Sequence, residues 1–351
     1  MNAYQAVACQ GAFDSAHTKD ELNKNIDHAL DMIRWGAYTY CFNDPAKLFA
    51  FGELNITGIP GLTRADWENM AITIPGPETE RFAKLARELN IYIVPGSWTE
   101  YDPDYADALF NTCFLVGPEG ILAKYRKVNP VPVVEWSSSP HDFLNKGYDI
   151  NKTPIFPVVE TEIGNIGMFI CYDSFFPEVT RQLAYNGAEV LVGVTANFYP
   201  GGDRFLDFWN SCTKVRSFEN MCYGLYVNGG STVSQFPPLS MNGCSQVVDY
   251  KGRVLTILDG PGEAITAATF NLDVLRHYRT ELMDANMLPQ NRTEVYDYLK
   301  TPKMKMHPEL AKKGINKHDL ETVRARDQGK FYSAYYGKEV KVPVHPKEWW
   351  G

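Results

Sequence analysis

The amino-acid sequence predicts an α/β fold. Short apolar runs rich in β-branched and aromatic residues recur through the first 270 positions, and amphipathic helical patterns separate several of them. Continuous apolar strands that alternate with amphipathic helices are typical of a sheet covered by helices. The strands predicted in this way are 3–9, 47–51, 91–94, 113–116, 165–170, 189–194, 222–227, 253–257 and 264–270.

Several segments between these strands carry the period of an amphipathic helix. In the segment 78–89, which follows Pro77, the residues Phe82, Leu85 and Leu89 fall on one apolar stripe. The same pattern predicts helices at 20–34, 176–186 and 203–220. Late in the chain, Gly252 and Gly260 mark short turns of the kind that join hairpin strands, so the sheet is predicted to be mixed.

Composition and charge narrow the class of protein. The 351 residues are 44% apolar, and 42 acidic against 34 basic side chains give a net charge of −8. Such a chain can bury a large core, which argues against a disordered or fibrous protein. An acidic balance argues against nucleic-acid and anionic-membrane partners, since both select a basic surface. No apolar run approaches the 18 residues that a membrane-spanning helix needs.

Cysteine usage indicates a reducing compartment. Seven cysteines are scattered along the chain without a CxxC pair, a pattern that favours free thiols over a disulfide framework or a zinc site. The first residues do not show the pattern of a secretory signal. We therefore expect a cytoplasmic protein.

The sequence changes character near Arg276. Residues 276–351 hold 15 basic and 10 acidic side chains, a net of 15 − 10 = +5, which leaves −8 − 5 = −13 for residues 1–275. We predict a main domain at 1–275 and a C-terminal extension at 276–351. Composition alone allows a solvated tail, but its many tyrosines and tryptophans favour a strap that packs on its own or a neighbouring subunit. A homodimer or larger homo-oligomer is expected.

One cysteine occupies a position suited to catalysis. The segment 164–187 reads as a buried strand that ends at Cys171, followed by a turn and by a helix that begins near Pro177. At such a corner a thiol is exposed beside backbone N–H groups that can hold an oxyanion, and a helix start lowers the thiol pKa. The alternative is a small buried residue that completes a strand.

A thiol nucleophile needs a base, and none of the seven histidines lies at a strand end. Charged residues at strand ends are better candidates. Glu53 directly follows a buried strand, Lys127 ends another strand-like run, and Glu135 comes eight residues later in a proline-rich loop. The alternatives are a solvated basic edge strand and a loop carboxylate in water.

Together these segments resemble a known family. FGELNITG around Glu53, KYRK around Lys127 and ICYDSFFPE around Cys171 are similar, in order and context, to the Glu, Lys and Cys motifs of the nitrilase, or carbon-nitrogen hydrolase, superfamily. AVACQ, VRSFENMCYGLYVNGG and GCSQVVDYKGRVL also fit, so the resemblance covers about residues 3–275. It implies a four-layer αββα sandwich, dimers formed across the helices after the cysteine, and C-terminal extensions that wrap partner subunits.

The resemblance also implies roles for particular residues. Glu53 would be the general base, Lys127 the oxyanion stabiliser, with help from the N–H of Tyr172, and Cys171 the nucleophile. Glu135 occupies the place of a second glutamate in the amidase branches, where it would orient the substrate amide or the attacking water. No metal or organic cofactor is required.

Residues after the cysteine indicate the branch. Tyr172 and Asp173 stand where nitrilases usually have Trp and Glu, and no arginine follows to hold the carboxylate of an N-carbamoyl amino acid. The layout is more similar to amidases, including the aliphatic amidase and formamidase group. We expect a primary amide substrate with an apolar or aromatic acyl part, bound by Tyr172, Trp136, Phe175 and Phe198. Nitrilase, N-carbamoyl amide hydrolase and acyltransferase activities stay open, as does a non-enzymatic assembly role.

Overall fold

Two β-sheets lie face to face at the centre of the fold. The structure is a computed structural model that describes residues 3–41, 44–131, 135–197, 203–235, 237–281, 286–299 and 317–350. Its strands are β1 Ala3–Gln10, β2 Ala46–Ala50, β3 Tyr92–Val94, β4 Ser97–Glu100, β5 Phe110–Gly117, β6 Gly120–Arg126, β7 Val158–Thr161, β8 Gly164–Ile170, β9 Val190–Thr195, β10 Tyr223–Asn228, β11 Gln246–Val248, β12 Val254–Ile257 and β13 Ala264–Asn271.

Helices follow most of the parallel strands. They are α1 Lys19–Thr39, α2 Arg64–Met70, α3 Pro77–Leu89, α4 Pro177–Tyr185, α5 Asp203–Asn220, α6 Leu272–Glu281, α7 Met287–Gln290 and α8 Lys317–Tyr336. Among the described segments, no helix is long and apolar enough to cross a bilayer.

Both sheets are mixed, as the hairpin spacing predicts. The first has the order β13-β1-β2-β3-β5-β4, with β6 paired to β5, and β1 runs parallel to β2 but antiparallel to β13. The second has the order β12-β11-β10-β9-β8-β7, with β8, β9 and β10 parallel and hairpin partners at its edges. Parallel strands end at the same edge of a sheet, so the loops after β8, β9 and β10 gather there.

The alternation of side chains along the strands builds four layers. On one face of the first sheet, Val7 and Phe49 pack against Ile26 of α1 and Phe82 of α3. The opposite face meets the second sheet, and the Sγ of Cys113 lies 3.7 Å from the Sδ of Met168 across that interface. Buried residues of α4 and α5 cover the far side of the second sheet. The four-layer αββα sandwich is confirmed.

Local sequence signals set the helix boundaries. Helix α1 begins after Thr18, whose side chain accepts the Glu21 N–H while the Glu21 carboxylate accepts the Thr18 N–H, a capping box. It extends past the predicted end at residue 34 to Thr39. Helix α3 begins at Pro77 and ends before Asn90, which adopts the left-handed conformation common at helix C-termini.

Helix α6 crosses the predicted boundary at residue 276. Arg276 donates two hydrogen bonds, of 2.7 and 2.9 Å, to the Glu189 carboxylate, and Arg279 donates to the Met221 carbonyl. The first residues of the extension therefore pack on the main domain. Farther along, α8 is a helix of 20 residues that the sequence pattern does not predict. The division at residue 275 stays a prediction.

Candidate active site

Three of the predicted catalytic residues directly follow strands or lie close to strand ends. Glu53 comes shortly after β2, and its N–H donates to the Thr195 carbonyl at the end of β9. Lys127 follows β6, and Cys171 follows β8. The hydrogen bond from the Glu53 N–H to the Thr195 carbonyl joins the loop after β2, in the first sheet, to the end of β9, in the second sheet. The site therefore draws on both sheets.

A buried ion cluster lies at the centre of the site. The Lys127 Nζ donates to Glu53 Oε1 at 2.6 Å and also donates to Glu135 Oε1. The side chains are 0%, 4% and 5% exposed for Lys127, Glu53 and Glu135. These three charges are therefore paired inside the protein. Lys127 does not lie on a solvated edge strand, and Glu135 is not a loop carboxylate in water.

Backbone groups fix both carboxylates. The Ala196 N–H donates to Glu53 Oε2 at 2.9 Å, and the Val131 N–H donates to Glu135 Oε1 at 3.0 Å. A buried carboxylate that receives N–H donors keeps a defined orientation. The two glutamates are therefore held on either side of the lysine by more than the ion pairs.

Asn111 on β5 completes the cluster, and sequence reasoning missed it. Its side-chain Nδ2 donates to Glu53 Oε1 at 2.8 Å and to Glu135 Oε2 at 3.0 Å. Its backbone carbonyl accepts the backbone N–H of Lys127 at 2.9 Å. The signal in the sequence was an asparagine inside the apolar run FNTCFLV, and the structure shows that this asparagine is fully buried. A buried side-chain amide in a strand needs polar partners, and here the partners are the site glutamates.

Opposing effects act on the pKa of Lys127. Burial lowers it, because the charged form loses its water, whereas the carboxylates of Glu135 and Glu53 raise it. The attraction prevails, and the pKa of Lys127 lies well above its usual value. The lysine is therefore a permanent cation near neutral pH. An ammonium carries three donors, and in the described part of the chain the two carboxylates accept two of them.

Cys171 lies at the predicted corner. Strand β8 ends at Ile170, a single 3₁₀ turn spans Cys171–Phe175, and α4 begins at Pro177. The backbone of Cys171 is left-handed, with φ +47°, a conformation that costs an L-residue ~1–3 kcal/mol. Cys9, Cys113 and Cys222 are buried, whereas Cys171 is partly exposed. Cys171 therefore differs from those three cysteines by its place in the turn after β8, although its thiol is itself largely shielded from water.

The expectation of a lowered thiol pKa is wrong. Burial and the negative charge of Glu53 raise the pKa of Cys171, and Lys127 and the Ala196 N–H lower it by less. The 3₁₀ turn also separates the cysteine from the first residue of α4, so the helix start acts at a distance. The raised pKa keeps the Cys171 thiol protonated near neutral pH.

The predicted substrate-binding residues differ in their surroundings. Trp136 is 6% exposed and donates its indole N–H to the Leu62 carbonyl at 3.0 Å. Tyr172 and Phe175 are partly exposed and form an edge contact, with ring centroids 5.6 Å apart. Phe198 lies outside the described residues.

Trp136 belongs to an apolar cluster that borders the site. Its neighbours Leu54 and Ala196 directly follow Glu53 and Thr195 in the chain. The apolar cluster consists of Leu54, Ile59, Trp67, Leu109, Trp136, Ala196 and Met241. Among the described residues, His, Cys, Asp and Glu side chains form no group of three or more suited to a metal ion.

Comparison with known proteins identifies the family. The chain belongs to the carbon-nitrogen hydrolase family, whose model matches residues 6–280. It is 32% identical to a formamidase of Bacillus cereus over 77% of this chain and 75% of that protein. It is 29% identical to a nitrilase of Pyrococcus abyssi over 79% of this chain and 94% of that protein. A third relative, named Probable nitrilase, from Schizosaccharomyces pombe, is 32% identical over 56% of this chain and 66% of its own length, just under two thirds.

Solved structures show the same fold. A carbon-nitrogen hydrolase from Helicobacter pylori superposes with a TM-score of 0.70 at 18% identity, covering 86% of this chain and 99% of that one. An amidase mutant from Nesterenkonia, with the acetamide moiety of fluoroacetamide added covalently at its active-site cysteine, gives 0.59 at 20% identity, covering 84% and 95%. The family places this chain among hydrolases of carbon-nitrogen bonds other than peptide bonds.

Proposed function

We propose that this protein hydrolyses primary amides to a carboxylic acid and ammonia through a thioester on Cys171. The observation that carries the proposal is the Lys127 ammonium, held between the Glu53 and Glu135 carboxylates and close enough to Cys171 for its charge to act on the thiol pKa. A base, a fixed cation and a thiol are the groups that acyl transfer to sulfur requires.

In the first half of the reaction, Glu53 takes the thiol proton while the sulfur of Cys171 attacks the amide carbon. The raised pKa of the thiol makes this transfer necessary. The third N–H of the Lys127 ammonium and the backbone N–H of Tyr172 hold the tetrahedral oxyanion. As the C–N bond breaks, protonated Glu53 gives its proton to the leaving nitrogen, and ammonia departs.

In the second half, Glu53 removes a proton from water, which attacks the thioester. The C–S bond breaks, the acid leaves, and the proton returns to the sulfur. Glu135 orients the substrate amide or this water. Its carboxylate is anchored by Lys127, Asn111 and Val131, so it offers a fixed acceptor and not a mobile base.

Two features favour an uncharged amide over an N-carbamoyl amino acid. None of the second to fourth positions after Cys171 is an arginine, and Asp173 and Ser174, which occupy two of them, are fully buried. Leu54 and Trp136 of the apolar cluster directly follow Glu53 and Glu135 in the chain, so the cluster offers an apolar wall for the acyl group. We therefore propose substrates with an apolar or aromatic acyl part.

The test is ammonia release from a panel of amides, nitriles and N-carbamoyl amino acids. We expect kcat/KM to rise from formamide to propionamide or benzamide by about 10- to 200-fold, the range for burying an apolar group worth ~1–3 kcal/mol. A steady fall with acyl size contradicts the apolar wall and supports a formamidase. Faster turnover of nitriles than of amides contradicts the amidase proposal.

An acyltransferase uses the same thioester, so hydrolysis must be tested separately. One amide is assayed with and without hydroxylamine, and both the acid and the hydroxamate are measured. Acid as the main product in water supports hydrolysis. Turnover that depends on the added amine contradicts it.

A further inference from the structure

Asp173, two residues after the nucleophile, is a fully buried carboxylate that the proposed reaction does not use. In the described structure its carboxylate hydrogen bonds come from neutral groups and not from a lysine or arginine side chain. A buried carboxylate without a paired cation is costly unless its lone pairs are filled by donors. We therefore ask which parts of the site this buried carboxylate, two residues after Cys171, holds together.

Four donors surround the Asp173 carboxylate. The Tyr125 hydroxyl donates to Oδ2 at 2.7 Å, and the Ile170 N–H donates to the same oxygen at 3.3 Å. The Asn129 backbone N–H and side-chain Nδ2 each donate to Oδ1 at 2.9 Å.

These donors come from the two segments that carry the catalytic candidates. Tyr125 and Asn129 lie two residues on either side of Lys127, and Ile170 directly precedes Cys171. The carboxylate thus joins the lysine segment to the nucleophile corner on both sides of the cation.

We propose that Asp173 is a positioning residue that fixes the left-handed Cys171 corner against the Lys127 segment. The proposal rests on the proposed function of Cys171 and Lys127. Because Asp173 accepts from both segments, any change in their separation breaks at least one of its bonds. The carboxylate holds the sulfur and the ammonium at the spacing that the oxyanion needs.

The acceptor character of both oxygens is essential to this role. In Asp173→Asn, the amide oxygen can still accept from Asn129, and the amide nitrogen can donate to Tyr125. The Ile170 N–H would then face another donor. That variant keeps the size of the side chain and loses the bond closest to Cys171.

The experiment compares Tyr125→Phe and Asp173→Asn with Tyr226→Phe. Tyr226 is also fully buried, and its hydroxyl forms a 2.8 Å hydrogen bond to Ser217, which lies on α5. Loss of either hydroxyl removes one buried hydrogen bond, and because a bond to a carboxylate is worth more than a bond between two hydroxyls, Tyr125→Phe should lose somewhat more stability than Tyr226→Phe. We measure kcat, KM and the thermal midpoint for each, and the rate at which iodoacetamide alkylates Cys171, read by peptide mass.

We expect Tyr125→Phe to lower kcat about 10-fold and Asp173→Asn about 100-fold, with KM changed less than about twofold. Alkylation of Cys171 should slow in the same order, and Tyr226→Phe should change neither rate. If Tyr125→Phe matches Tyr226→Phe in kcat and alkylation, the positioning role is wrong and the network only stabilises the fold.

Alkylation needs no amide, so the two proposals fail separately. A wild type that releases no ammonia from any amide overturns the proposed function, while the alkylation rates still decide the positioning role. If Asp173→Asn does not fold, the comparison of the two Phe variants decides it, since each changes only a hydroxyl.

Discussion

The Lys127 ammonium and the Glu53 carboxylate form a buried ion pair with 2.6 Å between Nζ and Oε1. Removing both charges from water costs several kcal/mol per ion, and the pair recovers this only with further hydrogen bonds. Asn111 and the Ala196 N–H supply those bonds to Glu53. Such a cluster is weak evidence for stability, and its position beside a strained cysteine favours a chemical role.

We expect Cys171→Ala to abolish ammonia release and leave the fold intact, because the change removes a sulfur from a partly exposed side chain. Mass spectrometry of the wild type mixed with substrate should find an acyl adduct on the peptide that contains Cys171. Cys244→Ala is the matched control, since Cys244 is also partly exposed and left-handed, with φ +60°. Full activity in Cys171→Ala would exclude the nucleophile.

Changes in the ion cluster should reduce turnover by different amounts. We expect Glu53→Gln and Lys127→Met each to lower kcat/KM by at least ~100-fold, the loss typical of one proton-transfer or oxyanion group. Glu135→Gln should give a smaller or more substrate-dependent loss. Lys152→Met is the control, because Lys152 pairs with Asp104 at the surface and is 65% exposed. Equal, mild effects at all positions would contradict these roles.

Lys127→Met should also destabilise the fold, since it leaves two carboxylates buried without their cation. The expected loss is ~3–5 kcal/mol in the free energy of unfolding. Urea unfolding of the variant and the wild type measures it. A variant as stable as the wild type would show that water reaches the Glu53 and Glu135 carboxylates once the lysine is removed.

Asn111→Leu should lower kcat/KM by roughly 10-fold or more, because both glutamates lose a hydrogen-bond donor. Asn220→Leu is a matched control. Asn220 is also fully buried, and its Nδ2 donates to Thr180 at 3.2 Å and to the Arg216 carbonyl at 2.9 Å. Both variants should lose stability, whereas only Asn111→Leu should lose activity. Similar activity in the two would reduce Asn111 to a packing role.

Alkylation of Cys171 in the free protein should still accelerate with pH above 9. Its pKa is raised by burial and by Glu53, so the thiolate fraction grows only at a higher pH than for an ordinary thiol. The same shift bears on stability: the unfolded chain releases the proton first, so stability falls as pH rises past the unfolded pKa. The rate at which iodoacetamide labels Cys171, measured between pH 6 and 10, checks the raised pKa of the thiol. A plateau below pH 8 would show a lowered thiol pKa.

We propose a homo-oligomer in which the distal extension contacts a neighbouring subunit. The opposed charges, +5 for 276–351 and −13 for 1–275, favour that contact. Arg276 and Arg279 bind the main domain, so the informative truncation removes residues 300–351 and keeps α6. Light scattering should then report a smaller assembly. An unchanged mass with an unchanged thermal midpoint would show that the removed segment is not an oligomerisation arm.

The sequence alone predicted nine strands and four helices in their observed order, and the three segments that meet in the site, but it did not predict β4, β7 or α2. Apolar runs predict β1, β8 and β9 within one or two residues, because buried parallel strands exclude polar side chains on both faces. Glu53, Lys127 and Cys171 were found because each interrupts or ends such a run. Helix α8 was missed, since its apolar residues do not follow a single stripe.

Only the tertiary structure decided how these residues act on one another. Asn111 binds carboxylates from other segments, and three of the four donors to Asp173 come from Tyr125 and Asn129, more than 40 positions away, so no local pattern reveals these partners. The thiol pKa was expected to fall and instead rises, because it depends on burial and on Glu53, 118 positions away (171 − 53). Hydrogen bonds and electric fields act through space, and the facing sheets bring these distant positions into contact.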